Sequence, residues 1–133
     1  CVSVCPTTAM HKEDKRGLVL VDETKCVGCG YCVMACPYNA PKVSRELGYS
    51  VKCNGCEERL NQGLQPVCVM SCPLRALDFG PIDELRKKYG DTAEIHPMPS
   101  ASYTHPNITI KPSPAALDPA ASKAHVANPK EVQ

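Results

Sequence analysis

The chain has 133 residues with a formal net charge of +1, and its side chains include ten cysteines, one Phe and no Trp. A charge this close to zero gives no general attraction to nucleic acid, and no apolar stretch approaches the roughly 18 residues that span a bilayer. With so few large apolar side chains an ordinary core would be thin, so we expect the cysteines to hold the fold together.

Four short apolar segments predict two antiparallel hairpins, each turning around a glycine. They are residues 9–10 with 18–21 around Gly17, and residues 41–44 with 49–52 around Gly48. Short strand signals on either side of a glycine are typical of hairpins. Residues 76–80 follow a Cys-Pro pair as residues 8–10 do, which predicts a further small strand there.

Residues 81–90 have the composition of a helix. Pro stands at the start, two acidic residues follow in the first turn, three basic residues come late, and Gly90 ends the segment. Ile82, Leu85 and Tyr89 fall on one face of this helix. Such a face more often covers a neighbouring core than recognises a partner, so we interpret the segment as a covering helix.

The composition changes near residue 96, where cysteines have ended and prolines accumulate. Seven of the thirteen prolines fall between Pro97 and Pro129. We therefore divide the chain into a cluster-binding body at 1–80, a covering helix at 81–96 and a Pro-rich tail at 97–133. This tail cannot fold alone; it is either solvated or an extended arm ordered against a partner, and we favour the arm because Pro-rich segments are already extended.

Residues 26–37, CVGCGYCVMACP, contain the pattern C-x2-C-x2-C-x3-C-P. This is the bacterial ferredoxin spacing for [4Fe–4S] clusters, in which the fourth cysteine ligates the other cluster of a pair. Gly28 and Gly30 leave room for the backbone to wrap a cluster. Together with the predicted hairpins, helix and Pro-rich tail, the run predicts an α+β, ferredoxin-like 4Fe–4S domain with short hairpins and short helices, plus the extended C-terminal arm. Its apolar residues are expected to exclude water from one side of the cluster; they are Val27, Val33, Met34 and Ala35.

Exchange of the fourth ligand divides the cysteines among four clusters. Cysteines 53–72 repeat the motif with an insertion, C-x2-C-x11-C-x3-C-P. The first group is complete and consists of Cys5, Cys26, Cys29 and Cys32. The second group is Cys1 and Cys36, the third is Cys53, Cys56 and Cys68, and the fourth is Cys72 alone. Four clusters need six further ligands, which we expect upstream of residue 1, so the chain is interpreted as the C-terminal part of a longer protein.

Other uses of these cysteines fit the spacing less well. Disulfides belong to secreted proteins, and thioredoxin-type chemistry needs a C-x2-C beside a βαβ pattern that is absent here. Zinc ribbons use C-x2-C pairs, but a third cysteine followed by C-x3-C-P is not a tetrahedral zinc pattern. The four histidines are scattered, and no Ser/His/Asp group, phosphate loop or carboxylate pair indicates a catalytic centre.

The sequence resembles the iron–sulfur electron-transfer subunit of anaerobic dimethyl sulfoxide reductase. The likeness is most specific at residues 72–90, CPLRALDFGPIDELRKKYG, because it extends beyond any metal requirement. It is also carried by residues 1–12, 26–38, 53–56, 106–112 and 128–132.

This resemblance implies four [4Fe–4S] clusters between a quinol-oxidising membrane anchor and a molybdopterin catalytic subunit that reduces dimethyl sulfoxide and related S- and N-oxides. The chain itself would not be an enzyme. It would not span the membrane, and it would not bind nucleic acid. The resemblance implies a peripheral subunit of a bacterial membrane complex, with the periplasmic face favoured over the cytoplasmic face. The alternatives are the same subunit of a polysulfide, nitrate or formate enzyme, and a metal-stapled interaction module without a redox role.

Overall fold

A computed structural model of the chain describes residues 1–117. The contacts divide the chain into two compact units, Cys1–Met70 and Ser71–Gln133. This division falls at neither boundary of the predicted three-part organisation, 1–80, 81–96 and 97–133, which stays a prediction. What the sequence predicts for residues 118–133 lies outside the described part.

The first unit is built on the two predicted hairpins. Strands β1 (Met10–Lys12) and β2 (Val19–Val21) pair antiparallel with Met10 opposite Val21. Strands β3 (Lys42–Val43) and β4 (Ser50–Val51) pair with Lys42 opposite Val51. Gly17 and Gly48 have φ of 70° and 76°, a conformation that glycine adopts without a steric penalty. Both hairpin predictions are confirmed; β1 is one residue longer than expected and the other three strands are shorter.

Three short helices complete the first unit. They are α1 (Tyr31–Ala35), α2 (Glu57–Asn61) and α3 (Val67–Ser71), the last ending where the second unit begins. In residues 1–117 the buried apolar side chains are Ala9, Met10 and Cys32, and the other buried residues are Pro41, Ser50 and Pro66. This core is too small to hold the unit together by apolar burial alone, as the composition predicts.

The second unit contains the predicted helix, α4 (Ile82–Tyr89), between Pro81 and Gly90. Ile82, Leu85 and Tyr89 line one groove, which confirms that they share a face. The segment before α4 is bound to it through Asp78, whose carboxylate accepts hydrogen bonds from Lys88 Nζ at 2.8 Å and Tyr89 Oη at 2.7 Å. These donors lower the pKa of Asp78 to about 2.

One prediction for the second unit differs from the structure, and another is not confirmed. Residues 76–80 form no strand, because the Ala76 N–H donates to Cys72 Sγ and the Phe79 N–H to Asp78 Oδ1 instead of to a neighbouring strand. The tail is not confirmed as one extended arm: it contains a 3₁₀ turn (Ala101–Tyr103) and a short helix α5 (Pro114–Leu117). The Ile110 N–H donates to the Thr92 carbonyl at 2.8 Å. Within residues 1–117, no helix combines the length and apolar character needed to cross a membrane.

Candidate metal centre

All four cysteines of the first group line one cavity, which is partly open to solvent. The walls also include Ala9 and Met10, which are 1% and 2% exposed, and Ser50 from β4. Cys5 lies before β1. Cys26 and Cys29 lie on the loop before α1, and Cys32 lies in the first turn of α1. The fold thus brings a thiol from 21 residues upstream to the three of the C-x2-C-x2-C loop.

The loop that carries these thiols depends on its two glycines. Gly28 and Gly30 have φ of 64° and 78°, and Gly30 lies directly before α1. A Cβ on Gly28 would lie 2.7 Å from the carbonyl oxygen of Gly48, whereas one on Gly30 would meet no atom within 4 Å. Gly28 is therefore required by close backbone approach as well as by its conformation, and Gly30 by conformation alone.

Hydrogen-bond donors point at three of the four sulfurs. The Met10 N–H lies 3.4 Å from Cys5 Sγ, and the Ser50 N–H lies 3.3 Å from Cys26 Sγ. The Ser50 hydroxyl lies 3.3 Å from Cys32 Sγ and donates when that sulfur is a thiolate. The Met10 N–H is the main reason why the pKa of the Cys5 thiol is lowered. The lowered pKa favours the thiolate form of Cys5, which is the form that ligates metal.

The three Cys-Pro pairs build the same turn. In each, the residue three positions after the cysteine donates its N–H to the cysteine carbonyl and has a left-handed backbone; these residues are Thr8 (φ 55°), Asn39 (φ 54°) and Arg75 (φ 51°). A following N–H then reaches the cysteine sulfur: Met10 to Cys5, Ala40 to Cys36 at 3.4 Å, and Ala76 to Cys72 at 3.3 Å. The Ala76 N–H is the main reason why the pKa of Cys72 is lowered.

The remaining cysteines lie outside this cavity. Cys53 and Cys56 lie on one loop, where the Gly55 N–H donates to Cys53 Sγ at 3.4 Å, and Cys68 lies on α3. Cys53 and Cys68 are exposed, while the second group is half-buried. Cys72 belongs to the second unit. All ten thiols are free of disulfide bonds.

The water-excluding role expected of the Cys26 run is only partly met. Val27, on the loop before α1, is 66% exposed, and Met34 is 74% exposed because the five-residue helix α1 turns Cys32 inward and Met34 outward. Residues Ala9 and Met10, at the start of the first hairpin, cover the cavity instead. No pattern in the cysteine run indicates this, and the role of Ser50 has no sequence signal at all. The repeated Cys-Pro-x-x pattern could have indicated the shared turns.

The donor set fits a cluster. Within residues 1–117 no three His, Cys, Asp or Glu side chains are grouped so as to hold a single metal ion. The first group instead surrounds a space, as the ligands of a cubane do, since they bind separate corners of a cube. Four thiols with three donors directed at their sulfurs match the chemistry of a [4Fe–4S] site.

Comparison with known proteins agrees with this chemistry. The chain is 54% identical, over 132 residues and 99% of its length, to the B subunit of anaerobic dimethyl sulfoxide reductase from Escherichia coli K12. It is 48% identical over 85 residues, 63% of its length, to the thiosulfate reductase electron transfer subunit PhsB of Salmonella typhi, covering 44% of that protein. It is 40% identical over 117 residues, 84% of its length, to the hydrogenase-2 operon protein HybA of E. coli O157:H7, covering 35% of that protein.

The chain spans 64% of the length of the dimethyl sulfoxide reductase relative. The resemblance that the sequence indicates is confirmed by this identity. A family model described as a 4Fe–4S dicluster domain matches residues 1–82. The chain therefore belongs to the 4Fe–4S dicluster domain family, whose cofactors are [4Fe–4S] clusters.

Proposed function

We propose that the chain conducts electrons through [4Fe–4S] clusters as part of the iron–sulfur subunit of a dimethyl sulfoxide reductase. The observation that carries this proposal is the single cavity lined by all four thiols of the first group. When bound there, a [4Fe–4S] cluster accepts and releases one electron at a time. The chain has no catalytic role in this proposal, because its residues hold the carrier and do not touch a substrate.

The protein's own residues would perform three tasks. The first group would bind the cluster, and Gly28 allows its loop to lie close to the backbone of Gly48. Ala9 and Met10 exclude water from the inner side. The N–H groups of Met10 and Ser50 and the Ser50 hydroxyl stabilise negative charge on the sulfurs, which favours the reduced state.

The other cysteines are assigned by ligand exchange. The second, third and fourth groups would each hold part of a further cluster, with six ligands supplied from outside the 133 residues. Iron analysis of the whole subunit tests this assignment: four clusters' worth of iron is expected, and two clusters' worth would contradict it.

The proposed partners are a quinol-oxidising membrane anchor and a molybdopterin catalytic subunit that reduces S- and N-oxides. The match to the dimethyl sulfoxide reductase B subunit supports them because it covers 99% of the chain, including the second unit, whereas the match to the thiosulfate subunit covers 63%. The subunit would then be peripheral on a membrane complex, with the periplasmic face favoured. Co-purification and protease accessibility in spheroplasts test both statements.

A second candidate is the equivalent subunit of another enzyme, which the thiosulfate relative favours. Assaying the purified complex with dimethyl sulfoxide, thiosulfate, polysulfide, nitrate and formate as substrates separates the candidates. Turnover of dimethyl sulfoxide faster than the others is expected, and turnover restricted to another substrate would replace the first assignment.

Cluster chemistry is tested on the whole subunit, loaded anaerobically. Its broad visible absorption should bleach with dithionite, and the reduced protein should show a cubane signal by electron paramagnetic resonance. Cys32→Ser should remove the signal of the first group. Cys72→Ser is the matched control, because Cys72 is assigned to another cluster and should leave that signal intact. A colourless protein with stoichiometric zinc, or a Cys32→Ser variant that transfers electrons normally, would refute the proposal.

A further inference from the structure

The third group differs from the first in the chain between its cysteines. Eleven residues separate Cys56 from Cys68, where two separate Cys29 from Cys32. A two-residue link fixes the separation of its thiols directly. An eleven-residue link leaves many separations open, so something within it must hold both ends in place.

The insertion is folded as two helices with a tight turn between them. Helix α2 begins directly after Cys56, and α3 carries Cys68. The Arg59 carbonyl accepts the N–H groups of Gln62 at 3.0 Å and Leu64 at 2.9 Å, and so closes the turn from its α2 side.

The side chain of Arg59 reaches the other end of the insertion. Its Nε donates to the Gln65 carbonyl at 3.0 Å, and its Nη2 lies 3.2 Å from Met70 Sδ. Gln65 leads into α3, and Met70 lies on α3 two residues after Cys68. One half-buried side chain therefore connects the helix that follows Cys56 to the helix that carries Cys68.

We propose that Arg59 is a positioning residue that fixes the separation of Cys56 and Cys68. This inference rests on the proposed function, which assigns both cysteines to one cluster. A planar guanidinium donates in two fixed directions at once, to a carbonyl and to a thioether, whereas a Lys ammonium keeps the charge without that fork. The two ends of the insertion are therefore held by the geometry of the Arg59 guanidinium, and not by its positive charge alone.

The test uses the whole subunit in its complex, loaded with clusters. The resonance of the third group is identified as the signal that Cys68→Ser removes. Its loss is followed during anaerobic incubation with bathophenanthroline disulfonate, an iron chelator, with the signal of the first group as an internal reference. The variants are Arg59→Lys, Arg59→Gln and Met70→Leu. Arg45→Lys is the matched control, because Arg45 is exposed on the turn between β3 and β4.

Arg59→Lys and Arg59→Gln should both speed the loss of the third-group signal by about tenfold, the lower end of what removal of a ligand's supporting partner costs in metal affinity. Met70→Leu should have a smaller effect in the same direction, since the bond to Gln65 remains. Arg45→Lys and the first-group signal should not change. If Arg59→Gln yields no folded protein, Arg59→Lys and Met70→Leu decide the outcome.

Three results would overturn the inference. Arg59→Lys could behave as wild type while Arg59→Gln does not, which would show that charge alone matters. Both Arg59 variants could match Arg45→Lys, or all signals could be lost at one rate, as in a general loss of stability. A wild-type subunit without any Cys68-dependent signal would refute the proposed function itself, which keeps the two failures distinct.

Discussion

The hydroxyl of Ser50 offers a direct test of how the fold sets the reduction potential of the first group. Ser50 is 2% exposed, and its hydroxyl lies 3.3 Å from Cys32 Sγ. Ser50→Ala removes that donor but keeps the backbone N–H that reaches Cys26 Sγ. The variant should therefore hold its cluster and reduce it less readily.

The magnitude follows from the strength of one hydrogen bond to a charged acceptor. Such a bond contributes about 1.5–3 kcal/mol, and the lower value suits sulfur because it is a weak acceptor. One added electron raises the negative charge of a four-thiolate cubane by about half, so the bond strengthens by about 0.75 kcal/mol on reduction. With 59 mV corresponding to a tenfold change for one electron, the potential should fall by about 30 mV.

The measurement is a redox titration of the whole subunit, followed by electron paramagnetic resonance of the first-group signal. Ser50→Thr keeps the hydroxyl and should restore most of the shift. Ser44→Ala is the control: it removes a hydroxyl that accepts the Leu47 N–H, in the turn after β3. A potential that stays the same or rises in Ser50→Ala, with the cluster intact, would show that this hydroxyl does not donate to the cluster thiolate.

Three further outcomes follow from the structure. Gly30→Ala should cost about 1–2 kcal/mol for its left-handed backbone, while Gly28→Ala should cost more because its Cβ would lie 2.7 Å from the Gly48 carbonyl; equal iron contents and thermal midpoints for the two variants would contradict this. Asp78 has a pKa lowered from 3.8 to about 2, so its bond to Lys88 stabilises the fold above about pH 4, and this contribution disappears as the pH falls to about 2. Asp78→Asn should lower the thermal midpoint at pH 6, and the difference in thermal midpoint from wild type should vanish at about pH 2. A difference that does not change with pH would show that ionisation of Asp78 does not stabilise the fold. Chelating the iron should unfold the first unit, because its three buried apolar side chains cannot replace the clusters; a native far-ultraviolet circular dichroism spectrum after chelation would disprove this.

Local features of the sequence determined the two hairpins, helix α4 and the kind of cofactor. Cysteine spacing predicts the [4Fe–4S] chemistry because ligand spacing along a tight loop is a local property. Gly17 and Gly48 place the hairpin turns, and Pro81 and Gly90 bound α4, because each acts on its own backbone. The division of the cysteines into four groups stays a prediction, although the structure brings the first group together.

The tertiary structure determined which hydrogen-bond donors lie beside the cysteine sulfurs. Ser50 is 18 residues from Cys32 in sequence, and only the pairing of β3 with β4 places its hydroxyl beside that sulfur. The strand predicted at residues 76–80 is absent because its N–H groups turn toward Cys72 and Asp78, a competition that strand propensity does not describe. Arg59 joins two helices through bonds to Gln65 and Met70 that no local pattern predicts. The sequence by itself thus determined which cofactor the protein binds, whereas the hydrogen bonds that surround and position its thiolates depend on contacts between distant segments.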